Sequence, residues 1–308
     1  MDRVLYLLTG PTGVGKTALA LQWAEANNAE ILSCDSLLFY QGMDIGTAKP
    51  SREEQMRVLH HGIDVCPVDQ QFNIKSYIHL AREVVSSVQR RGKKLLIVGG
   101  SGFYLKAFLA PVVDDIAVSD ALNKEVLELY EQSGLEGLMV ELLKLNPKGV
   151  GDLDVLNPRR VIKALVRCRA SGKDLLELKA SFEEQKSPFA DYEKKVCILD
   201  RCSEALKERI RRRVFEMIEL GLIDEVQSLI PQGIEKNPSA ANAIGYHETI
   251  DWHKKGMSSE ADLAEVIILN TNKLVAKQRK WFRTQIKSAQ YINLDERCKI
   301  KNIFMGVL

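Results

Sequence analysis

A chain of 308 residues, 45% hydrophobic and 27% charged, can bury a real core and is long enough for one large domain or a core plus a smaller one. No apolar run approaches a membrane span, Met1 to Leu8 lacks a signal-peptide layout, and six cysteines (Cys34, Cys66, Cys168, Cys197, Cys202, Cys298) without CxxC spacing suggest neither a zinc site nor a disulfide framework. A reduced cytoplasmic protein without membrane attachment is expected, with a monomer as the default; the net charge of +2 announces no nucleic-acid partner by itself.

The first apolar run, Val4–Thr9, ends in Gly10 and is followed by a helical pattern over Lys16–Ala26. A second short strand is predicted at 30–33, ending at Asp35, then a helix over 73–91 and an apolar strand at 94–98 closed by Gly99 and Gly100. Strands alternating with helices argue for a parallel sheet covered on both faces. After Pro111 the texture changes: residues 119–186 show helical periodicity with almost no β signal, interrupted by Gly134, Pro147, Gly149, Pro158 and Gly172. Ser119 reads as a helix start, and Gly172 as the stop of a helix over 159–171. The α/β pattern resumes with a strand at 196–199 and a helix over 203–220 closed by Gly221. A last helix runs to Gln285 from a cap at Ser258 or Ser259. The expected fold is therefore α/β, a P-loop NTPase-like parallel-sheet core formed by 1–115 and 196–308, with a helical insertion domain at 116–195.

The turn after the first strand reads Gly10-Pro11-Thr12-Gly13-Val14-Gly15-Lys16-Thr17 and matches G-x-x-x-x-G-K-[ST] in full, in the strand–turn–helix context the motif requires. Its glycines let backbone N–H groups turn toward a phosphate, and the helix start adds partial positive charge. Lys16 would neutralise phosphate oxygens, and Thr17 Oγ would hold Mg²⁺. Nucleotide hydrolases normally add a carboxylate at a strand end to hold the metal. Here 94–98 is followed by Gly99, Gly100 and Ser101, while Asp200 sits beside Arg201, where a structural ion pair or turn role is at least as plausible. Basic residues also gather at 159–169, 207–213 and 273–287. Such runs are either solvated helix faces or the footprint of a phosphate backbone.

The stretch Cys34-Asp35-Ser36-Leu37-Leu38-Phe39-Tyr40-Gln41-Gly42-Met43-Asp44-Ile45-Gly46-Thr47-Ala48-Lys49-Pro50 resembles the D-S-x-x-x-Y-x-x-M-D-I-G-T-A-K-P signature of tRNA dimethylallyltransferases. Further blocks follow in family order: His60-His61-Gly62-Ile63-Asp64, Val98-Gly99-Gly100-Ser101-Gly102-Phe103-Tyr104, Asn157-Pro158-Arg159-Arg160, Ala243-Ile244-Gly245-Tyr246 and Lys277-Gln278-Arg279-Lys280-Trp281-Phe282-Arg283. Together they span nearly the whole chain. The resemblance implies a P-loop core with a helical insertion and a channel, which dimethylallyl diphosphate and a flipped adenine enter from opposite sides. The implied reaction moves the dimethylallyl group onto the N6 of adenosine 37 of tRNA and releases diphosphate.

By the same resemblance, Asp35 matches the general base, although an Asp after a strand is also a common helix N-cap. Ser101 matches a threonine facing the diphosphate and substrate, and Arg213 the second arginine of R-I-x-x-R in Arg209-Ile210-Arg211-Arg212-Arg213. The tRNA contacts implied are Asp35, Ser36, Leu37 and Leu38 at the target base, Ser101, Lys124, then Arg159, Arg160, Val161, Ile162 and Lys163. Asn242, Ala243, Ile244, Gly245, Tyr246 and His247 form a further loop, and Lys277 and Lys280 lie on the last helix. Arg159, Lys163 and Arg167 recur at i+4 and are expected on one helix face, with Val161, Leu165 and Val166 packed behind them. Lys273, Lys277, Lys280 and Lys287 form a second stripe. Departures from the pattern are Asn157-Pro158 for Asn-Asp, Cys66-Pro67 for Asp-Pro, and lysine for arginine at Lys124 and Lys277, which keeps charge but loses the bidentate fork. Without a C-terminal Cys₂His₂ finger, a minimal bacterial type is implied. Competing readings are an isoprenyl transferase acting on free AMP or ATP, a P-loop nucleoside or small-molecule kinase, and a non-enzymatic RNA-binding module.

Overall fold

The structure, a computed structural model, describes residues 3–256, 259–296 and 303–304; Ser258 and Cys298 lie outside the described residues. In chain order the elements are β1 (Val4–Thr9), α1 (Lys16–Ala26), β2 (Ala29–Ser33), α2 (Arg52–Arg57), β3 (His60–His61), α3 (Ile74–Arg90), β4 (Lys94–Gly99) and α4 (Gly102–Leu109). Next come α5 (Asp120–Leu145), α6 (Pro158–Ser171) and α7 (Leu175–Glu183). The chain closes with β5 (Glu193–Asp200), α8 (Ser203–Glu219), α9 (Leu222–Leu229), α10 (Pro238–Ala241), α11 (Tyr246–Lys255), α12 (Glu260–Gln285) and β6 (Gln290–Asn293). Residues 1–110 with 188–308 form one compact unit, and 111–187 form a second.

The larger unit is built on a six-stranded sheet of order β3-β2-β4-β1-β5-β6, in which every pairing is parallel. Such strands are covered on both faces, so the central ones are apolar on both sides. Leu8, Ile31, Leu96 and Leu199 pack with Leu21 and Trp23 of α1, Ile210 and Val214 of α8, and Ile267 of α12. Leu5, Leu7, Leu32, Ile97 and Ile198 pack with Tyr77, Ala81 and Val88 of α3 and Phe108 of α4. No described helix is long and apolar enough to cross a membrane. β5 starts at Glu193, three residues before the apolar run, because Glu193, Lys194 and Lys195 pair in register with Val4, Leu5 and Tyr6. Mixed polarity hides those pairings, and the division between the units accordingly falls earlier, at 187/188.

The smaller unit has its own core of Val126, Leu138, Leu142, Val161, Leu165, Cys168 and Leu178. Three side chains start its helices by accepting backbone N–H bonds: Ser119 from Leu122, Asn157 from Arg160 and Asp174 from Glu177. The Asn157-Pro158 departure is thus a working helix start, with Pro158 in the first turn where no N–H is needed. α5 is broken at Gly134, whose φ of 63 ends one helical segment before the next begins.

Candidate active site

Open parallel sheets place ligand sites beyond the carboxyl ends of their strands. The ends of β2, β4 and β1 lie side by side here. Ser33 pairs with Val98 and Thr9 with Gly99, and Thr9 Oγ1 donates to the Gly99 carbonyl at 2.7 Å. From Thr9 the chain turns through 10–15 into α1, with φ of 77 at Gly13 and 107 at Gly15, left-handed values that side chains rarely adopt. Lys16 folds back so that Nζ donates to the Gly10 and Pro11 carbonyls, each at 2.9 Å. Burial pushes its pKa down to about 8, against the opposing pull of Asp35, and Arg213 adds to the fall. Thr17 is exposed at the start of α1, and its side-chain hydroxyl has no hydrogen-bond partner among the described residues.

Asp35 follows β2 in a turn rather than capping a helix. Its Oδ1 accepts from Leu37 N at 3.2 Å, and its own N–H donates to Ser33 Oγ at 3.3 Å. The carboxylate lies close enough to Lys16 and Arg213 to pull the pKa of each upward, against the effect of burial. Ser101 Oγ accepts from Ser36 N at 3.1 Å and sits 3.3 Å from Ser36 Oγ, which ties the start of α4 to the Asp35 turn. Ser36, Leu37 and Leu38 are half-buried in that turn.

The basic run on α8 divides by helix phase. Arg209 Nε donates to Gly13 O at 2.9 Å, and Arg213 Nη1 reaches Thr12 Oγ1 at 3.5 Å while Nη2 donates to Thr47 O at 3.3 Å. These two lie at i and i+4, on the face toward the loop. Arg211 instead pairs with Glu265 at 2.5 Å, and Arg212 with Glu216 at 3.3 Å. Burial lowers the pKa of Arg213, with Asp35 opposing that shift and Arg209 reinforcing it.

Two further contributors at the loop were not among the residues singled out from the sequence. Arg209 is one. The other is Gln278 of α12, whose Oε1 accepts from Thr12 N at 2.9 Å while Nε2 donates to Gly100 O at 3.1 Å. The signal for Gln278 was its place in the Lys277–Arg283 block. Asp200 is committed elsewhere: its Oδ1 accepts from Arg279 Nη2 at 2.7 Å, Arg279 Nε at 3.0 Å and Arg201 N at 2.9 Å.

The residues matched to tRNA contacts are placed unevenly. In the smaller unit Arg159 and Lys163 are exposed, with no ion pair among the described residues. Arg160 pairs with Asp154 at 3.2 Å and Lys124 with Glu128 at 3.7 Å, both at the surface. Ile162 is half-buried, whereas Val161 is sealed in the core with Leu165 and Val166, so its side chain is closed to RNA. Arg167 does not join a free basic face, because Asp114 holds its guanidinium in an ion pair. In the larger unit Asn242 and His247 are exposed and Ile244 is half-buried. Ala243 and Tyr246 are buried, Gly245 N donates to Glu248 at 2.7 Å, and the Tyr246 hydroxyl donates to Glu225 at 2.5 Å. Tyr246 is therefore a packing residue and not an exposed contact. Lys273, Lys277, Lys280 and Lys287 are all exposed.

The family model described as IPP transferase matches residues 38–285. The chain is 53% identical over 282 residues to a tRNA dimethylallyltransferase of Opitutus terrae, covering 92% of this chain and 90% of that one. It is 37% identical over 284 residues to one from Chlamydia felis, covering 91% and 82%. Among solved structures it resembles a tRNA isopentenylpyrophosphate transferase of Bacillus halodurans, with TM-score 0.70, 30% identity, and 98% and 95% of the two chains covered. A eukaryotic dimethylallyltransferase acting on tRNA shares the fold at TM-score 0.83 and 22% identity, covering 95% and 74%. With sheet, loop and relatives in agreement, the chain belongs to the IPP transferase family and is an enzyme of it.

Proposed function

We propose that this enzyme transfers a dimethylallyl group from dimethylallyl diphosphate to the exocyclic N6 of adenosine 37 in the tRNA anticodon loop, releasing diphosphate. The observation that carries the reading is the meeting of Lys16, Arg213 and the Asp35 carboxylate at one phosphate loop. Two desolvated cations beside backbone N–H groups suit a compact polyanion, and a carboxylate that acts on both of them suits a base that works next to a leaving group.

In the proposed step the N6 lone pair attacks the allylic carbon as the carbon–oxygen bond to diphosphate breaks, and the bonding electrons leave on the diphosphate oxygen. An adenine amine is a poor nucleophile because its lone pair is delocalised, so removal of its proton by Asp35 as the bond forms contributes about 10²–10⁴-fold. Lys16, Arg213 and the loop N–H groups stabilise the charge that grows on the leaving group. Ser101 holds the Asp35 turn through Ser36. Hard divalent cations take oxygen ligands, and the exposed, unpartnered Thr17 hydroxyl at the loop fits one such position. Mg²⁺ bound there would neutralise diphosphate charge.

For the RNA, the exposed cations are the candidates: Arg159 and Lys163 on α6, and Lys277 and Lys280 on α12, with Asn242 and His247 as further polar contacts. The kinase alternative needs a metal-holding carboxylate at a strand end; Asp200 is occupied by Arg279, and Asp35, past the end of β2, is the group assigned to the base. Incubating the enzyme with tRNA, AMP and labelled dimethylallyl diphosphate together tests the reading. Label entering tRNA alone is expected; label in AMP, or in neither, would overturn it.

A further inference from the structure

Among the described residues, the polar side chains of the signature segment 43–49 bond to Met43 O, Tyr40 O, Asp44 and Asp64 rather than to the phosphate loop. The segment's backbone is gripped from outside by one carboxylate. Glu225 of α9 accepts from Asp44 N at 3.0 Å and Ile45 N at 2.6 Å on one oxygen, and from Gly46 N at 3.2 Å and the Tyr246 hydroxyl at 2.5 Å on the other. Three consecutive backbone N–H groups converging on one anion form a nest, an arrangement with a strong preference for negative charge. Gly46 has to be glycine for this: a Cβ there would lie 2.5 Å from the Tyr246 ring. Lys49 closes the far side, donating to Tyr40 O at 2.9 Å and pairing with Asp44 at 2.6 Å and Asp64 at 2.5 Å.

The next residue along, Thr47, presents its carbonyl to Arg213 Nη2 at 3.3 Å, and Arg213 Nη1 reaches Thr12 at 3.5 Å. Both contacts are at the long end of hydrogen bonding, so a small shift of Thr47 O decides whether the guanidinium keeps this acceptor and its aim. We infer that Glu225, locked by Tyr246, is a positioning residue that fixes Thr47 and thereby aims Arg213 at the phosphate loop. The inference rests on the proposed placement of the donor's diphosphate at that loop. With the Glu225 charge removed, the three N–H groups turn to water, the 44–47 backbone relaxes, and Arg213 loses the acceptor that orients it.

Inorganic diphosphate is the probe, its affinity measured by calorimetry on the full chain carrying Glu225→Gln, Arg213→Ala or both. Arg213→Ala is expected to weaken binding about tenfold or more, and Glu225→Gln about three- to tenfold. The double variant should bind no worse than Arg213→Ala alone, because Glu225 acts through that side chain. Tyr246→Phe keeps the ring against Gly46 and removes one O–H. It should show the same non-additivity at about two- to threefold, and it carries the test where Glu225→Gln fails to fold. Multiplying losses in the double variants, or wild-type diphosphate affinity in both Glu225→Gln and Tyr246→Phe beside a weakened Arg213→Ala, would overturn the inference. Unchanged affinity in Arg213→Ala itself would instead overturn the placement of the diphosphate, and the inference with it.

Discussion

The basic run on α8 and the basic face of α6 look alike in composition and are arranged in opposite ways. On α8, Arg209 and Arg213 are desolvated and fixed against the phosphate loop by Gly13, Thr12 and Thr47. On α6, Arg159 and Lys163 stand exposed without ion pairs among the described residues, above a core of Val161, Leu165 and Val166. A buried, pre-aimed cation suits one small anion whose charge grows at a fixed point, since it needs no reorganisation during reaction. Exposed, mobile cations suit a long polyanion that is gripped by many weak contacts and released. The position of a charge, more than its presence, separates the two uses.

The largest effect should come from Asp35, the carboxylate that acts on both Lys16 and Arg213. Asp35→Ala is expected to reduce single-turnover alkylation by about 10²-fold or more, the range for a general base, while tRNA affinity stays within a few-fold. Equal losses of rate and binding would make Asp35 a recognition or folding residue instead.

Next in size is the loop lysine. Lys16→Ala removes a charged donor from the phosphate loop and should weaken diphosphate binding about 10- to 100-fold, with tRNA affinity unchanged. The pH dependence has a definite sign. The Lys16 pKa stands at about 8 in the free enzyme, so below that pH the side chain is protonated and carries the charge an anion needs. As pH rises through 8 the proton is lost and diphosphate affinity should fall; bound diphosphate favours the charged form and holds the proton to higher pH. Lys16→Arg should remove this inflection, because guanidinium does not titrate in the range. An inflection near pH 8 that persists in Lys16→Arg would belong to another group.

How much of this division was legible from residues alone depends on distance along the chain. The phosphate loop, β1 and β4 are local patterns, and their apolar runs and glycines suffice. The edge strands β3 and β6, His60–His61 and Gln290–Asn293, are too short and too polar to announce themselves. Gln278 was hidden because its partners Gly100 and Thr12 lie 178 and 266 residues away in sequence. Tyr246 and Val161 sat inside blocks that resemble RNA-contacting segments, and only packing shows that both face inward. Arg167 shares its spacing with Arg159 and Lys163, yet Asp114, a residue outside any helical repeat, claims it.

The exposed face should respond to salt where the fixed site does not. Replacing Arg159 and Lys163 together with alanine is expected to weaken tRNA binding several-fold and to flatten the negative slope of log affinity against log salt by about 1.4, roughly 0.7 for each single-strand phosphate no longer neutralised. Diphosphate affinity should be untouched. An anticodon stem-loop should bind nearly as well as whole tRNA if the exposed cations grip only that arm. Wild-type affinity and slope in the double variant would move the clamp to Lys273, Lys277, Lys280 and Lys287.

The smallest effect is the sharpest check on helix phase. Arg211 belongs to the same run as Arg213, two residues away, and is half-exposed in a pair with Glu265. Exposed ion pairs contribute only about 0.2–1 kcal/mol, because water screens the charges and two long side chains must be ordered to meet. Arg211 is also turned to Glu265 and away from the loop, so no donor is lost from the phosphate loop when it goes. Arg211→Ala should therefore leave diphosphate affinity within about twofold of wild type. Arg213→Ala, the same substitution in the same run, should weaken it about tenfold or more. Equal losses in the two variants would mean that the run acts on the diphosphate through its summed field. Helix phase would then not decide which arginine serves the site, and the contrast between fixed and free cations would fail at its best-defined position.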